Sequence, residues 1–233
     1  MFEVIMPIIF LIAVYTPAFF IVSLIFSISK FRKFIKDEET TAALIVLTIV
    51  LFDAILIIYY LSNGNFAEYG FRACGIDYLA YSIIIGFIFG FSLMGIVTRF
   101  LKTPLFEEIS WLKRILVFWI YASTVEEIVF RGLILGYLYN TIGIGDELWL
   151  LDFPIIYSAA LFALVHLSLI KRGAKKPEIV IIVLMGFILG LLAGLQVKIT
   201  GSIIPAIIIH GMFNVAGSII PAFAIIYSIF DLK

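Results

Sequence analysis

Long apolar stretches separated by short polar ones dominate the chain. A transmembrane helix needs about 20 predominantly apolar residues, and seven stretches have or approach that length. They are Val4–Ile28, Thr41–Leu61, Tyr78–Val97, Ile115–Leu138, Trp149–Ile170, Ile179–Val197 and Ile203–Ile219. Pro221 interrupts the last of them, and Ala222–Phe230 is either a short terminal piece or an eighth span. The pattern predicts an all-α, polytopic transmembrane helical bundle with seven to eight spans, because runs this long do not suit barrel strands.

The polar stretches give no sign of a second unit. Arg99–Arg114 mixes charged and aromatic residues and predicts an interfacial helix that leads into the fourth span. No basic region precedes the first span, so we interpret it as retained rather than as a cleaved signal. There is no composition break, linker or repeat, and residues 1–233 are predicted to form a single transmembrane domain.

Composition agrees with this pattern. Of 233 residues, 64% are hydrophobic and 14% charged, and the mean hydropathy is +1.19. A soluble domain is closer to half apolar and a quarter charged. The formal net charge is zero, so nucleic acid is not an expected partner. The single cysteine, Cys74, excludes an intrachain disulfide and a cysteine-based metal site.

Lysine and arginine predict the orientation, since cytoplasmic loops carry them in excess. The loops after the second, fourth and sixth spans hold only Arg72 and Lys198. The loops after the first, third and fifth spans hold twelve of the sixteen basic residues: Lys30, Arg32, Lys33, Lys36, Arg99, Lys102, Lys113, Arg114, Lys171, Arg172, Lys175 and Lys176. We therefore expect the N-terminus outside, in the plasma membrane if the chain is prokaryotic.

The fourth span contains three charged residues, Glu126, Glu127 and Arg131. A charge near the bilayer centre costs about 2.5–3.5 kcal/mol on insertion scales, so such residues are rare and usually functional. Residues four apart share a helix face, whereas neighbours point about 100° apart. The spacing predicts a supporting Glu127–Arg131 pair and leaves Glu126 for chemistry. A purely structural ion network is the alternative.

The only two histidines, His166 and His210, lie in two of the following spans. Taken alone, His166 is typical of a hydrogen-bonded core residue, whereas His210 fits a core role and a functional role equally well. His210 and Asn214 are four apart on one face, and Gly211 between them leaves room for close approach. Together with Glu126 at matching depth, these residues predict a site that activates water. A carboxylate with a histidine can take a proton from water, and a histidine with an amide can donate to an oxyanion.

These residues carry a family resemblance. Glu126-Glu127-x-x-x-Arg131, Phe162-x-x-x-His166 and His210-x-x-x-Asn214 resemble the three signature motifs of the CAAX prenyl protease and bacteriocin-processing family, also called Rce1-like or Abi proteins. The order matches, as does the run Gly201–Ala206 before the third motif. The resemblance covers roughly residues 105–218 and leaves the first three spans unmatched.

The resemblance implies a glutamate-type intramembrane endopeptidase that cuts near the end of a membrane-associated substrate, possibly a prenylated one. Glu126 and His166 would activate water, and His210 and Asn214 would form the oxyanion hole. Glu127 and Arg131 would support the site. The cavity would open toward the cytoplasm. We expect no cofactor and no metal, because Asn214 is a poor zinc ligand, although a zinc-dependent version of the protease is an alternative.

Two further classes stay open. A non-catalytic immunity or scaffold protein could retain the motifs, and a transporter could use buried acids and histidines as a proton relay. The sequence contains no inverted repeat of the kind found in many transporters.

Asp53, in the second span, lies outside the family pattern and is interpreted as structural. Glycines at four-residue spacing, Gly86/Gly90 and Gly186/Gly190/Gly194, predict close helix packing.

Overall fold

The computed structural model describes residues 2–27, 38–100, 114–144, 150–168 and 176–230. Within these ranges the chain forms helices and no strand. The helices are α1 (Phe2–Ser27), α2 (Glu38–Leu61), α3 (Ile76–Phe100), α4 (residues 114–141), α5 (Phe153–Val165), α6 (Lys176–Thr200) and α7 (Ile204–Phe230). A short 3-10 helix, Phe66–Tyr69, lies between α2 and α3.

The seven helices follow the seven predicted apolar stretches, so the all-α prediction is confirmed. Within the part of the chain that the structure describes, four helical segments are long and apolar enough to cross a bilayer: Phe2–Ser27, Thr40–Leu61, Ile76–Leu93 and Ile179–Thr200. The apolar helices at Phe153–Ser168 and Ile204–Gly217 are shorter. The number of seven to eight spans therefore stays a prediction. The interfacial helix predicted at Arg99–Arg114 lies mostly outside the described residues.

The prediction that Pro221 ends the seventh helix is wrong. One continuous helix, α7, runs from Ile204 to Phe230 through this position. Proline removes one backbone hydrogen bond, but apolar helices of membrane proteins tolerate this loss where neighbouring groups satisfy the freed carbonyl. The piece predicted at Ala222–Phe230 is thus the end of α7 and not a separate helix.

The helix α4 has an unusual backbone. It joins a π-helical stretch (Arg114–Ala122), an α-helical turn (Ser123–Glu127), a second π-helical stretch (Ile128–Leu135) and an α-helical end (Gly136–Thr141). The backbone keeps right-handed helical torsions at each described junction, so the four pieces form one helix. π-Helical turns are rare and often occur at functional sites. The α-helical turn between the two π stretches carries Glu126 and Glu127.

The second half of α4 is the centre of the bundle. Every residue from 127 to 138 is buried. The ring of Phe10 in α1 meets Tyr137 edge-on with centroids 5.1 Å apart. Ser158 of α5 donates to the carbonyl of Phe130 at 2.8 Å. Helices on several sides thus shield this segment from lipid, which allows it to hold charged groups.

The predicted close packing is confirmed at four of the five glycines, whereas at Gly186 a Cβ would have its nearest neighbours at 3.6 Å, an ordinary contact distance. A Cβ atom at Gly86 or Gly90 of α3 would come within 3.0 Å of α7 atoms. On α6, a Cβ at Gly190 would lie 2.8 Å from Cβ of Ala159, and one at Gly194 would lie 2.9 Å from Ile155. These positions bring α3 onto α7 and α6 onto α5.

The loops that follow α2, α4 and α6 meet at one end of the bundle. The amide of Ile203, before α7, donates to the carbonyl of Gly70, after α2, at 3.0 Å. Lys198 at the end of α6 pairs with Asp152 at the start of α5, with Nζ and Oδ2 3.1 Å apart. Successive helices therefore alternate in direction. This end contains the loops that the charge pattern predicts to lie outside.

Candidate active site

Glu127 and Arg131 form the ion pair that their spacing predicts. Nη1 of Arg131 donates to Oε1 of Glu127 at 3.1 Å, and Nε lies 3.1 Å from Oε2. Both side chains have 0% exposure. A charged side chain in an apolar interior is tolerated when an opposite charge and hydrogen bonds accompany it. The pair therefore explains how α4 holds both groups at the centre of the bundle.

His210 connects this pair to Glu126. Its Nδ1 lies 2.8 Å from Oε1 of Glu127, and its Nε2 lies 3.8 Å from Oε2 of Glu126. The side chain of Glu127 is fully buried, whereas that of Glu126 is 26% exposed. The two neighbouring glutamates thus have different environments. Glu127 holds the imidazole ring, and Glu126 is the one of the two glutamates that is partly exposed.

A second link joins α4 and α7 one helical turn away. The amide nitrogen of Asn214 donates to the hydroxyl of Ser123 at 2.9 Å. Ser123 is four residues before Glu127, and Asn214 is four residues after His210, so the two links have the spacing of one turn in two antiparallel helices. At Gly211, between His210 and Asn214, a Cβ would lie only 3.0 Å from the carbonyl oxygen of Trp119. The glycine lets α7 approach the backbone of α4.

His166 lies at the end of α5 and is half-buried. Its Nδ1 is 2.9 Å from the carbonyl oxygen of Phe162, one turn earlier. Among the described residues, no hydrogen bond or ion pair joins it to Glu126. The structure brings Glu126 together with His210 instead.

Phe162 lies between the two histidines. Its ring centroid is 5.0 Å from the ring of His166 and 5.6 Å from that of His210, in edge-on geometry at 82° and 78°. Cζ of Arg131 stands 4.7 Å from the same ring, close enough for a cation–π contact. The ring therefore contacts three of the predicted site residues, His166, His210 and Arg131.

Three residues near the site were not predicted to act there. Ser123 is fully buried and holds Asn214. The sequence pattern gives Phe162 only as the first position of the second motif and predicts no contact for it. Tyr15 of α1 lies within electrostatic range of Glu126, although α1 lies outside the three motifs. The position of Ser123, four residues before Glu127, was the one sequence signal that could have indicated a role.

Oδ2 of Asp53 is buried in α2 and has no hydrogen-bond partner among the described residues. Within the same residues, no three His, Cys, Asp or Glu groups come together as a metal site would require. Oε1 of Glu127 is already taken by Arg131 and His210.

Residues 108–216 match the model of the Rce1-like family of type II CAAX prenyl endopeptidases. The match confirms the resemblance that the three motifs predict, and it includes every predicted site residue while leaving α1, α2 and α3 outside. No curated protein and no solved structure matches the chain. With four span-length apolar helices among the described residues, the protein is an integral membrane protein, and a little under half of its chain is similar to the Rce1-like family.

Proposed function

We propose that the protein is a glutamate-dependent intramembrane endopeptidase of the CAAX type. It hydrolyses a peptide bond near the C-terminus of a membrane-associated protein or peptide, with or without a prenyl group. One observation carries the proposal: two adjacent glutamates share one histidine, and the buried glutamate is neutralised by Arg131 while the accessible one is not. The family match supports the protease class.

The charges of the site favour a mobile proton. Glu126, Glu127 and Arg131 together carry one excess negative charge, and one added proton makes the set neutral. Nε2 of His210 and Oε2 of Glu126 are 3.8 Å apart, too far for a direct hydrogen bond, so we propose that this proton passes between them through the water of the site. With the proton on His210, Glu126 is a free carboxylate that can act as a general base.

The reaction then follows in two steps. Glu126 takes a proton from water while the water oxygen attacks the peptide carbonyl carbon. Nε2–H of His210 and the amide of Asn214 donate to the oxyanion that forms, in the way that preorganised donors stabilise such intermediates. The C–N bond breaks when Glu126 returns the proton to the leaving amine.

The proposal also gives a role to His166, which lies one helical turn after Phe162 at the end of α5. With Nδ1 bonded to the carbonyl of Phe162, its Nε2 is available to the substrate or to the attacking water. Catalytic hydrogen bonds are often long in the absence of substrate and shorten in the complex. We propose that His166 assists Glu126 in this way, in a cavity that opens toward the cytoplasm.

The test uses the purified full chain in lipid vesicles with a panel of prenylated and unprenylated C-terminal peptides. Mass spectrometry identifies the products. Wild-type protein cleaves at least one peptide, and Glu126→Gln or His166→Ala lowers the rate by about 10²–10⁴-fold, the range for loss of general acid–base catalysis. Glu68→Gln, an exposed carboxylate in the outer loop, is the matched control and keeps the full rate.

Full activity of both site variants would contradict the proposed mechanism. The absence of cleavage by the wild type would favour an immunity or scaffold protein. A chelator is expected to leave the rate unchanged, whereas inhibition reversed by added zinc would favour a metalloprotease.

A further inference from the structure

Tyr15 brings one hydroxyl group to the core side of α1. The buried residues of α1 are spaced by three or four positions and so share one face: Pro7, Phe10, Val14 and Ala18. Tyr15 lies beside this face, is partly buried, and packs against the hydrophobic core. Its ring stacks on that of Phe19, with the centroids 6.2 Å apart. The other hydroxyl-bearing residues of α1 are exposed: Thr16, Ser23 and Ser27.

Tyr15 and Glu126 lie on the same side of a contact between α1 and α4. The two helices run in opposite directions, and the rings of Phe10 and Tyr137 meet toward the outer end. From that contact inward, Tyr15 follows Phe10 on α1, and Glu126 precedes Tyr137 on α4. The carboxylate of Glu126 interacts electrostatically with the phenol of Tyr15. The proposed base therefore has α1 as a neighbour as well as α7.

The hydroxyl of Tyr15 and the carboxylate of Glu126 are chemically complementary. Within the described ranges, no hydrogen bond engages either group, and Nε2 of His210 is 3.8 Å from Oε2 of Glu126. A tyrosine hydroxyl in an apolar interior usually has a hydrogen-bond partner. A phenol donates to a carboxylate, and one water molecule can bridge two such groups at little cost.

Several helices bring ionisable groups to Glu126. By helix, those in the described part of the chain are Tyr15 of α1, Glu127 and Arg131 of α4, His166 of α5 and His210 of α7. Asp53 of α2 shows no electrostatic interaction with Glu126. Tyr15 is thus the one neutral hydroxyl donor in a set that otherwise consists of charged groups and imidazoles.

We propose that Tyr15 is a positioning residue that donates a hydrogen bond to Glu126, directly or through one water molecule. The proposal rests on the proposed role of Glu126 as general base. It adds a residue from a helix outside the segment that matches the family, residues 108–216. A donor to a carboxylate favours its ionised form. Tyr15 therefore favours the arrangement in which His210 carries the proton and Glu126 is free to take one from water.

The first experiment measures the pH dependence of kcat/KM for a cleaved peptide, with wild type and Tyr15→Phe in vesicles of neutral lipid. The variant keeps the ring and its stacking on Phe19. Without the donor, Glu126 takes up a proton more readily, so the acid limb moves to higher pH by about one unit, the size expected for one hydrogen bond to a charged group. The rate falls about tenfold on the acid side and little on the plateau.

Tyr157→Phe is the matched control. Its hydroxyl also holds α1, since it donates to the carbonyl of Val4 at 2.6 Å, but it lies outside the set around Glu126. This variant is expected to keep the wild-type pH profile.

A second measurement needs no substrate. Infrared spectra of the full chain at a series of pH values follow the carboxyl stretch of Glu126, which is identified by its loss in Glu126→Gln. The midpoint of this band is expected to lie at higher pH in Tyr15→Phe than in wild type. A shifted midpoint in a protein that cleaves no peptide would support the contact and contradict the proposed function.

An unchanged midpoint and an unchanged acid limb in Tyr15→Phe would overturn the role of Tyr15 and leave the proposed function intact. A rate loss that is equal at all pH values, or the same shift in Tyr157→Phe, would also overturn it, because either result would assign the effect to the placement of α1.

Discussion

Nδ1 of His210 lies 2.8 Å from Oε1 of Glu127, the same oxygen that accepts a hydrogen bond from Nη1 of Arg131. One carboxylate oxygen thus serves a cation on its own helix and an imidazole on another. Because Glu127 is fully buried, water does not compete for these contacts. The orientation of His210 toward Glu126 therefore depends on the pair Glu127–Arg131.

Removal of Arg131 alone should destabilise the fold strongly. Arg131→Met leaves the buried carboxylate of Glu127 without its cation, which costs about 3–5 kcal/mol in comparable pairs. The double variant Glu127→Gln/Arg131→Met removes both charges and is expected to lose clearly less than Arg131→Met. The measurement is the free energy of unfolding in detergent for both singles and the double. Losses that simply add would contradict a coupled pair.

Loss of the Ser123 hydroxyl should lower catalysis more than stability. Ser123→Ala releases the amide of Asn214 from the position that the hydroxyl fixes. One hydrogen bond contributes about 1 kcal/mol, so kcat is expected to fall by about 5- to 10-fold with KM little changed. Ser158→Ala is the matched control, because Ser158 is equally buried but donates to the backbone of Phe130.

An unchanged kcat in Ser123→Ala would show that Asn214 is placed by other contacts. A parallel drop in both serine variants would indicate loosening of α4 as a whole and not a role of Ser123 in the site.

The helices and the Glu127–Arg131 pair could be predicted because each depends on one helix. Apolar runs set the helix positions to within a few residues, and the period of the helix fixes which side chains share a face. The loop contacts at the outer end follow from the same alternation of spans. The continuation of α7 through Pro221 could not be predicted in this way, since it depends on the groups that surround α7.

The partner of Glu126 could not be predicted because it depends on several helices at once. Sequence order places His166 and His210 on α5 and α7, but not the rotation of each helix about its axis. In the structure the ring of Phe162 lies against both imidazoles, and His210 is the one beside Glu126. The contact between Ser123 and Asn214 could not be predicted either, because it also depends on two helices. A lone serine in an apolar helix is, in addition, typical of many packed interfaces.

Substitution of Gly190 should disturb the site through its contacts with α5 and Arg131. A Cβ there would lie 2.8 Å from Cβ and 2.9 Å from Cα of Ala159, and 3.1 Å from Nη2 of Arg131. The Ala159 backbone cannot move without shifting α5, so Gly190→Ala is expected to cost about 1–3 kcal/mol, the range for overpacking. Gly95→Ala is the control, since among the described residues no atom outside its own helical turn lies within 4 Å of its Cβ position. Equal stability of the two variants would contradict the close contact of α5 and α6.

The single cysteine offers a direct test of the predicted orientation. Cys74 lies in the loop after α2, at the end of the bundle where Gly70 meets Ile203, and it is the only cysteine in the chain. With the N-terminus outside, a membrane-impermeant maleimide labels Cys74 in intact cells. The control, Cys74→Ser/Lys33→Cys, moves the thiol to the basic loop after the first span, and it is labelled only after permeabilisation. The reverse pattern would contradict the predicted orientation and would place the loop after α2 on the cytoplasmic side.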